Sequence, residues 1–147
     1  MPQNEPIKVF IADRYPHFRE NLRNILKKKN IEVTGETETT EDLFDQLESK
    51  KTDLLITAHR LNDGNAGYFL PLVKERFPHV RILMLTLNCN KKVFLEFAEY
   101  LDGMLCKLSH KDDLLQAIHE IVLKDKLYVR INKHAEEIRD QRQNRIR

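Results

Sequence analysis

Four side chains that could take part in binding or catalysis lie at the ends of apolar runs in this sequence. Asp13 and Arg14 follow the run Ile-Lys-Val-Phe-Ile-Ala, Thr86 closes another, and Lys107 closes a third. The carboxylate of Asp13 could bind a metal ion or form an ion pair, and the two cations could hold a ligand phosphate. Ala58, at the end of a fourth run, can do no acid–base, nucleophilic or metal chemistry.

The elements that carry these residues alternate along the chain. Apolar, β-branched runs predict strands, and apolar residues at helical spacing predict the helices between them. The predicted strands lie at 7–12, 31–36, 53–57, 81–87 and 102–107, and the predicted helices at 15–30, 39–51, 68–80, 90–101 and 109–127. Residues 59–67, rich in Asn, Asp and Gly, are predicted as a loop.

Five strands alternating with five helices predict a parallel sheet sandwiched between helices. Ligands of such sheets bind outside the carboxyl ends of the strands. Asp13, Arg14, Ala58, Thr86 and Lys107 are therefore predicted to meet in one crevice.

Composition limits the class of protein. The chain has 147 residues, of which 41% are hydrophobic, which predicts one domain with a core of ordinary size. No apolar run approaches the ~20 residues of a membrane helix, and the first residues do not resemble a signal peptide. The two cysteines, Cys89 and Cys106, are too few for a secreted, disulfide-stapled chain, so a cytoplasmic location is predicted.

Charge separates the body of the chain from its end. Residues 130–147 contain six Lys or Arg against three Asp or Glu, and residues 1–129 contain 19 against 20. We predict a domain over 1–129 and a basic helical tail or linker over 130–147, in which Ile131, Ala135 and Ile138 keep a thin apolar stripe.

The segments VFIADRYPHFRENL, RILMLT, LDGMLCK and DDLLQAI follow one another along the chain. In this order and spacing, they resemble the receiver domain of two-component response regulators. The resemblance covers roughly residues 6–129 and is nearest to the subgroup with a helix-turn-helix output domain. The resemblance implies a flavodoxin-like, doubly wound (βα)5 fold whose five-stranded parallel sheet has the order 2-1-3-4-5.

The resemblance also implies a phosphorylation site, from which this chain departs at its centre. The family needs an acceptor aspartate, two acids that hold Mg²⁺, a switch hydroxyl and a lysine. Asp13, Thr86 and Lys107 match, but the acceptor position falls on Ala58 and the second acid on Arg14. Met104 also replaces the aromatic switch residue. We predict a degenerate site that binds neither Mg²⁺ nor a phosphoryl group in the usual way, with no other cofactor.

Structural roles compete with chemical ones at each position. Asp13 is predicted to pair with Lys107 or Arg14, and Thr86 either senses an anion or satisfies backbone groups. His59 is predicted to be a surface histidine, and Asp63, on the loop, is the residue that could swing in as a substitute acceptor. No zinc-ligand spacing, glycine-rich phosphate loop or nucleophile turn is visible in the sequence.

These features predict a non-enzymatic signalling module that acts by protein contact in transcription control. The predicted interaction surface contains Phe94, Phe97, Tyr100 and Met104. A homodimer and a histidine kinase are the partners that the resemblance implies. DNA is expected to be reached only through an output domain that is not in this chain, and no membrane contact is expected. The alternatives are a phosphorelay receiver with a displaced acceptor and an unrelated enzyme on the same fold.

Overall fold

The computed structural model describes residues 5–27 and 30–131 of the chain. These residues form eight strands and five helices. In chain order they are β1 (Ile7–Ala12), α1 (Pro16–Leu26), β2 (Ile31–Thr37), α2 (Thr40–Ser49), β3 (Leu54–Thr57), β4 (Arg60–Leu61), β5 (Gly64–Asn65), α3 (Ala66–Arg76), β6 (Arg81–Thr86), α4 (Lys91–Phe97), β7 (Gly103–Cys106), α5 (Lys111–Lys124) and β8 (Tyr128–Val129).

The main sheet confirms the predicted topology and adds one strand to it. Its order is β2-β1-β3-β6-β7-β8, and every pairing within it is parallel. The first five of these strands are the five predicted from the sequence, in the predicted order 2-1-3-4-5. The prediction of five strands misses β8, a two-residue strand in which Tyr128 and Val129 pair with Gly103 and Met104.

Two apolar layers cover the two faces of this sheet. One core packs the sheet against α2, α3 and α4, and the other packs it against α1 and α5. Strand β1 serves both layers, because Phe10 and Ala12 face the first and Val9 and Ile11 face the second. Burial on both faces explains why the central strands appear in the sequence as continuous apolar runs.

Several predicted boundaries are wrong, and two of them change how the chain is read. The predicted loop 59–67 contains the antiparallel pair β4–β5 and the first residues of α3, which begins at Ala66. Pro71 therefore lies inside this helix, where it cannot donate a backbone hydrogen bond. Helix α4 begins after Asn90, whose side chain accepts from the Val93 backbone N–H, and ends at Phe97, four residues before the predicted end.

The end of the described chain is still attached to the sheet. The backbone N–H of Arg130 donates to the Met104 carbonyl at 3.0 Å, one residue beyond β8. The predicted tail over 130–147 lies outside the described residues from position 132 onward and stays a prediction. Within the described ranges, no helix has the length and apolar character needed to cross a membrane.

Candidate functional site

Backbone hydrogen bonds beyond the strand ends bring the predicted crevice residues together. The Asp13 N–H donates to Thr37 O at 3.0 Å, the Ala58 N–H to Ala12 O at 2.9 Å, and the Lys107 N–H to Thr86 O at 3.0 Å. The parallel ladder therefore continues one residue past β1, β3 and β7. As predicted, Asp13, Ala58, Thr86 and Lys107 stand at one edge of the sheet.

Asp13 and Lys107 form a buried ion pair at the centre of this edge. Lys107 Nζ lies 2.7 Å from Asp13 Oδ2, and the side chains are 11% and 2% exposed. Asp13 Oδ1 accepts from the Tyr15 backbone N–H at 2.8 Å. Asp13 Oδ1 therefore accepts a hydrogen bond, whereas Oδ2 contacts Lys107 as an ion pair and has no hydrogen-bond partner among the described residues. Of the two predicted pairing partners, Lys107 is the one that Asp13 contacts.

Aromatic rings complete the surroundings of Lys107. Its Nζ lies 4.4 Å from the ring centroid of Phe18 and 4.9 Å from that of Tyr15. Cations over aromatic faces at these distances are attracted by the ring quadrupole. Sequence reasoning missed both rings, although their spacing of three residues across the start of α1 places them near one another.

Arg19 fixes the backbone at Asp13. Its Nη1 donates to the Asp13 carbonyl at 2.6 Å, and its Nε donates to Glu36 Oε1 at 2.8 Å. Arg23 also donates to the Glu36 carboxylate. Burial raises the pKa of Glu36, but the hydrogen bonds from the two arginines outweigh burial and hold its pKa below the ordinary value. This network joins α1 and β2 around the end of β1.

Arg14 takes no part in the ion pair. Its guanidinium carbon lies 5.2 Å from the Tyr15 ring centroid, and its Nε is buried without a hydrogen-bond partner among residues 5–27 and 30–131. The predicted alternative in which Arg14 neutralises Asp13 is therefore wrong for this conformation, because the Lys107 ammonium holds the position next to Asp13 Oδ2.

Thr86 and Ala58 are both buried in the strand-end layer. Thr86 is 4% exposed and its Oγ1 accepts from the Asn88 backbone N–H at 3.0 Å. This contact matches the predicted role in satisfying backbone groups. Ala58 is 7% exposed and offers the crevice only a methyl group.

His59 and Asp63 are both engaged elsewhere. His59, predicted to be a surface histidine, is partly exposed, and its ring lies edge-on to Phe97 at 5.1 Å. Asp63 accepts from the backbone N–H groups of Thr40 at 2.6 Å and Glu41 at 3.2 Å, at the start of α2. Burial raises the pKa of Asp63, but these hydrogen bonds outweigh burial and lower it overall.

Replacing Asp63 by Ala is expected to reduce the free energy of unfolding by about 1 kcal/mol at neutral pH, the usual cost of losing a helix cap. Because the folded state lowers the pKa of Asp63, its contribution is complete above the unfolded pKa and lost as pH falls through the folded pKa. Urea unfolding at several pH values measures both effects. Glu41→Ala, in the same helix turn, is the matched control and should cost less; equal losses would contradict the capping role.

The predicted interaction surface needs correction at two of its four residues. Phe97 is 3% exposed and Met104 is 0% exposed, so both belong to the core and cannot anchor a partner in this conformation. Phe94 and Tyr100 are partly buried and pack against the same core, and their role as anchors stays a prediction. The large apolar side chain that α4 exposes is Leu95, at 59%.

Comparison with known proteins gives one family match and several similar structures. The family model described as "Response regulator receiver domain" matches residues 9–119. A search of curated protein sequences finds no match.

The similar structures include receiver domains of RcsB. The non-phosphorylated receiver domain of the stress response regulator RcsB from Escherichia coli is 25% identical with a TM-score of 0.80, over 85% of this chain and 98% of that one. The isolated domain from Salmonella enterica serovar Typhimurium, with the phosphomimetic BeF3-, gives 25% identity and a TM-score of 0.78, over 85% and 94%. A structure of two RcsB dimers bound to two parallel DNAs is 25% identical with a TM-score of 0.79. This match covers 85% of this chain but only 64% of that one.

Proposed function

Since the chain belongs to the response regulator receiver domain family, we propose that it acts in signal transduction by protein contact, without phosphorylation of an aspartate in its crevice. The observation that carries the proposal is Ala58 at the end of β3, next to an Asp13 that is already paired with Lys107. A methyl group cannot accept a phosphoryl group. The remaining carboxylate is buried, with Oδ1 hydrogen-bonded to the Tyr15 N–H and Oδ2 in an ion pair with Lys107.

The donor set of the crevice does not fit Mg²⁺. This ion takes oxygen ligands in near-octahedral geometry and usually needs one or two accessible carboxylates. Asp13 Oδ1 accepts from the Tyr15 backbone N–H, and Oδ2 forms an ion pair with Lys107 Nζ. The next residue in the chain is the cation Arg14. Over the described ranges, no group of three or more His, Cys, Asp or Glu side chains is placed to hold a metal ion. We therefore assign no Mg²⁺-dependent step to this chain.

The relatives suggest the setting in which the domain works. One RcsB structure contains dimers bound to DNA, and its chain extends well beyond the part matched here. We propose that this chain likewise serves transcription control, with DNA contacted through an output domain and the receiver contributing contacts to a second copy or to a histidine kinase. In this proposal the receiver is a binding module and not an enzyme.

Incubation of the chain with acetyl phosphate and Mg²⁺ is expected to leave its intact mass unchanged. The physical reason is that the crevice offers neither an acceptor at position 58 nor a free metal ligand at Asp13. Mass spectrometry of the intact chain at mildly acidic pH measures whether its mass has changed. A stable gain of one phosphoryl group that disappears on substituting Asp63 or Asp13 would overturn the proposal and establish the displaced-acceptor receiver.

A further inference from the structure

Strand β8 covers the β7 edge of the main sheet, where the two apolar layers meet. Tyr128 is 5% exposed and packs in the layer of α1 and α5, whereas Val129 packs against the layer of α2, α3 and α4. The Tyr128 N–H donates to the Asp102 carbonyl at 3.1 Å, and the Arg130 N–H donates to the Met104 carbonyl at 3.0 Å. A very short segment therefore closes this edge and holds the chain that leaves α5 against it.

The close approach of β8 to β7 depends on a residue without a side chain. A Cβ atom on Gly103 would lie 2.7 Å from the Tyr128 carbonyl oxygen and 2.7 Å from Ile121 Cδ1, closer than van der Waals contact allows. On the other side of the pairing, the Arg130 guanidinium carbon lies 4.3 Å from the Tyr128 ring centroid, where a cation is attracted to the ring. The contact between β8 and β7 is therefore specific to the residues that form it.

The same contact carries two internal costs. Asp125, which turns the chain from α5 toward β8, has a φ of 53°, in the left-handed region that L side chains disfavour. The Tyr128 hydroxyl is buried and has no hydrogen-bond partner among residues 5–27 and 30–131, and such a group destabilises the state that buries it. Because β8 pairs with β7 through two residues alone, few contacts hold it closed against these costs.

We propose that residues 128–130 form a strap that opens from β7 as a unit while the rest of the domain stays folded. With the strap closed, the chain beyond Arg130 starts at the β7 edge; with the strap open, it starts at the end of α5. In the proposed function an output domain follows the receiver, so the strap sets where that domain is attached. This consequence rests on the proposed function, whereas the opening itself does not.

Amide hydrogen exchange of the full chain, followed by NMR at urea concentrations below the unfolding transition, measures the opening. We expect the Tyr128 and Arg130 amides to exchange through an opening whose free energy scarcely changes with urea, because little surface becomes exposed. The β3 amides should instead show the steep urea dependence of global unfolding. Exchange of Tyr128 and Arg130 with the same free energy and urea dependence as β3 would overturn the proposal, and so would exchange as fast as in an unstructured peptide.

A matched pair of variants tests the backbone pairing of the strap. Arg130→Pro removes the N–H that donates to Met104, whereas Arg130→Ala keeps that N–H and removes the same guanidinium. We expect the opening constant measured at the Tyr128 amide to be about fivefold larger in Arg130→Pro than in Arg130→Ala, the effect of one backbone hydrogen bond. Equal opening constants in the two variants would contradict the pairing.

Tyr128→Phe tests whether the strap is held against an internal cost. This change removes only the hydroxyl, so we expect the opening constant measured at the Arg130 amide to fall by about fivefold or more. An unchanged or larger opening constant would overturn the claim that the strap closes against the cost of this hydroxyl. The acetyl phosphate experiment is independent of these measurements, because a mass gain there would overturn the proposed function and leave the strap in place.

Discussion

Ala58→Asp alone is expected to leave the chain unphosphorylated by acetyl phosphate, whereas Ala58→Asp combined with Arg14→Asp is expected to accept one phosphoryl group. The single change restores an acceptor at the end of β3, but Arg14 keeps a cation next to Asp13 and supplies no ligand for a metal ion. The second change removes that cation and adds a carboxylate, which gives Mg²⁺ the oxygen ligands it requires. Thr86 and Lys107 already stand at the adjacent strand ends to meet the phosphoryl oxygens.

Intact mass after incubation with acetyl phosphate, with and without Mg²⁺, distinguishes these variants. Ala58→Asp with Arg14→Gln is the matched control, because it removes the positive charge without adding a metal ligand. If that control is phosphorylated, repulsion by the Arg14 charge explains why Ala58→Asp alone is not. If the control is not phosphorylated, the missing second carboxylate explains it. Phosphorylation of Ala58→Asp alone would contradict the blocking role of Arg14.

The fold could be predicted from the sequence because each central strand is buried on both faces. Strands such as β1 then appear as short apolar runs, and the helices between them show their apolar face at helical spacing. Strand β8 could not be predicted in this way, because its two residues, Tyr128 and Val129, are too few to show a period. The start of α3 could not be predicted for a different reason. Asn65 and Gly67 favour a turn locally, but burial of Ala66 and Phe69 in the core overrides that preference.

The members of the site could be predicted, but not their pairing. The carboxyl-end rule places Asp13, Ala58, Thr86 and Lys107 at one edge, and backbone hydrogen bonds confirm this placement. Whether Asp13 contacts Lys107 or Arg14 depends on the direction in which each side chain leaves its strand, and sequence spacing does not encode this direction for residues in a loop. The same limit explains why the sequence wrongly assigns Phe97 and Met104 to the interaction surface, because an apolar residue fits a core and an interface equally well.

Lys107→Met is expected to lower the free energy of unfolding by about 3–5 kcal/mol, the loss typical of removing one partner from a buried ion pair. Asp13 is 1% exposed, and without Lys107 the Tyr15 N–H would be the one partner left for its charge among residues 5–27 and 30–131. Methionine keeps an unbranched apolar side chain at this position, so the loss reports mainly on the ammonium charge. Denaturant unfolding monitored by circular dichroism measures it.

The double change Asp13→Asn with Lys107→Met should recover part of this loss, because it removes the buried carboxylate that Lys107→Met leaves unpaired. Lys111→Met, at an exposed lysine at the start of α5, is the control and should change the free energy of unfolding by less than about 0.5 kcal/mol. A loss below about 1 kcal/mol for Lys107→Met would place the pair among ordinary surface ion pairs. In that case Asp13 would be available to solvent or to another cation, and its carboxylate would not be occupied in the way that the proposed function requires.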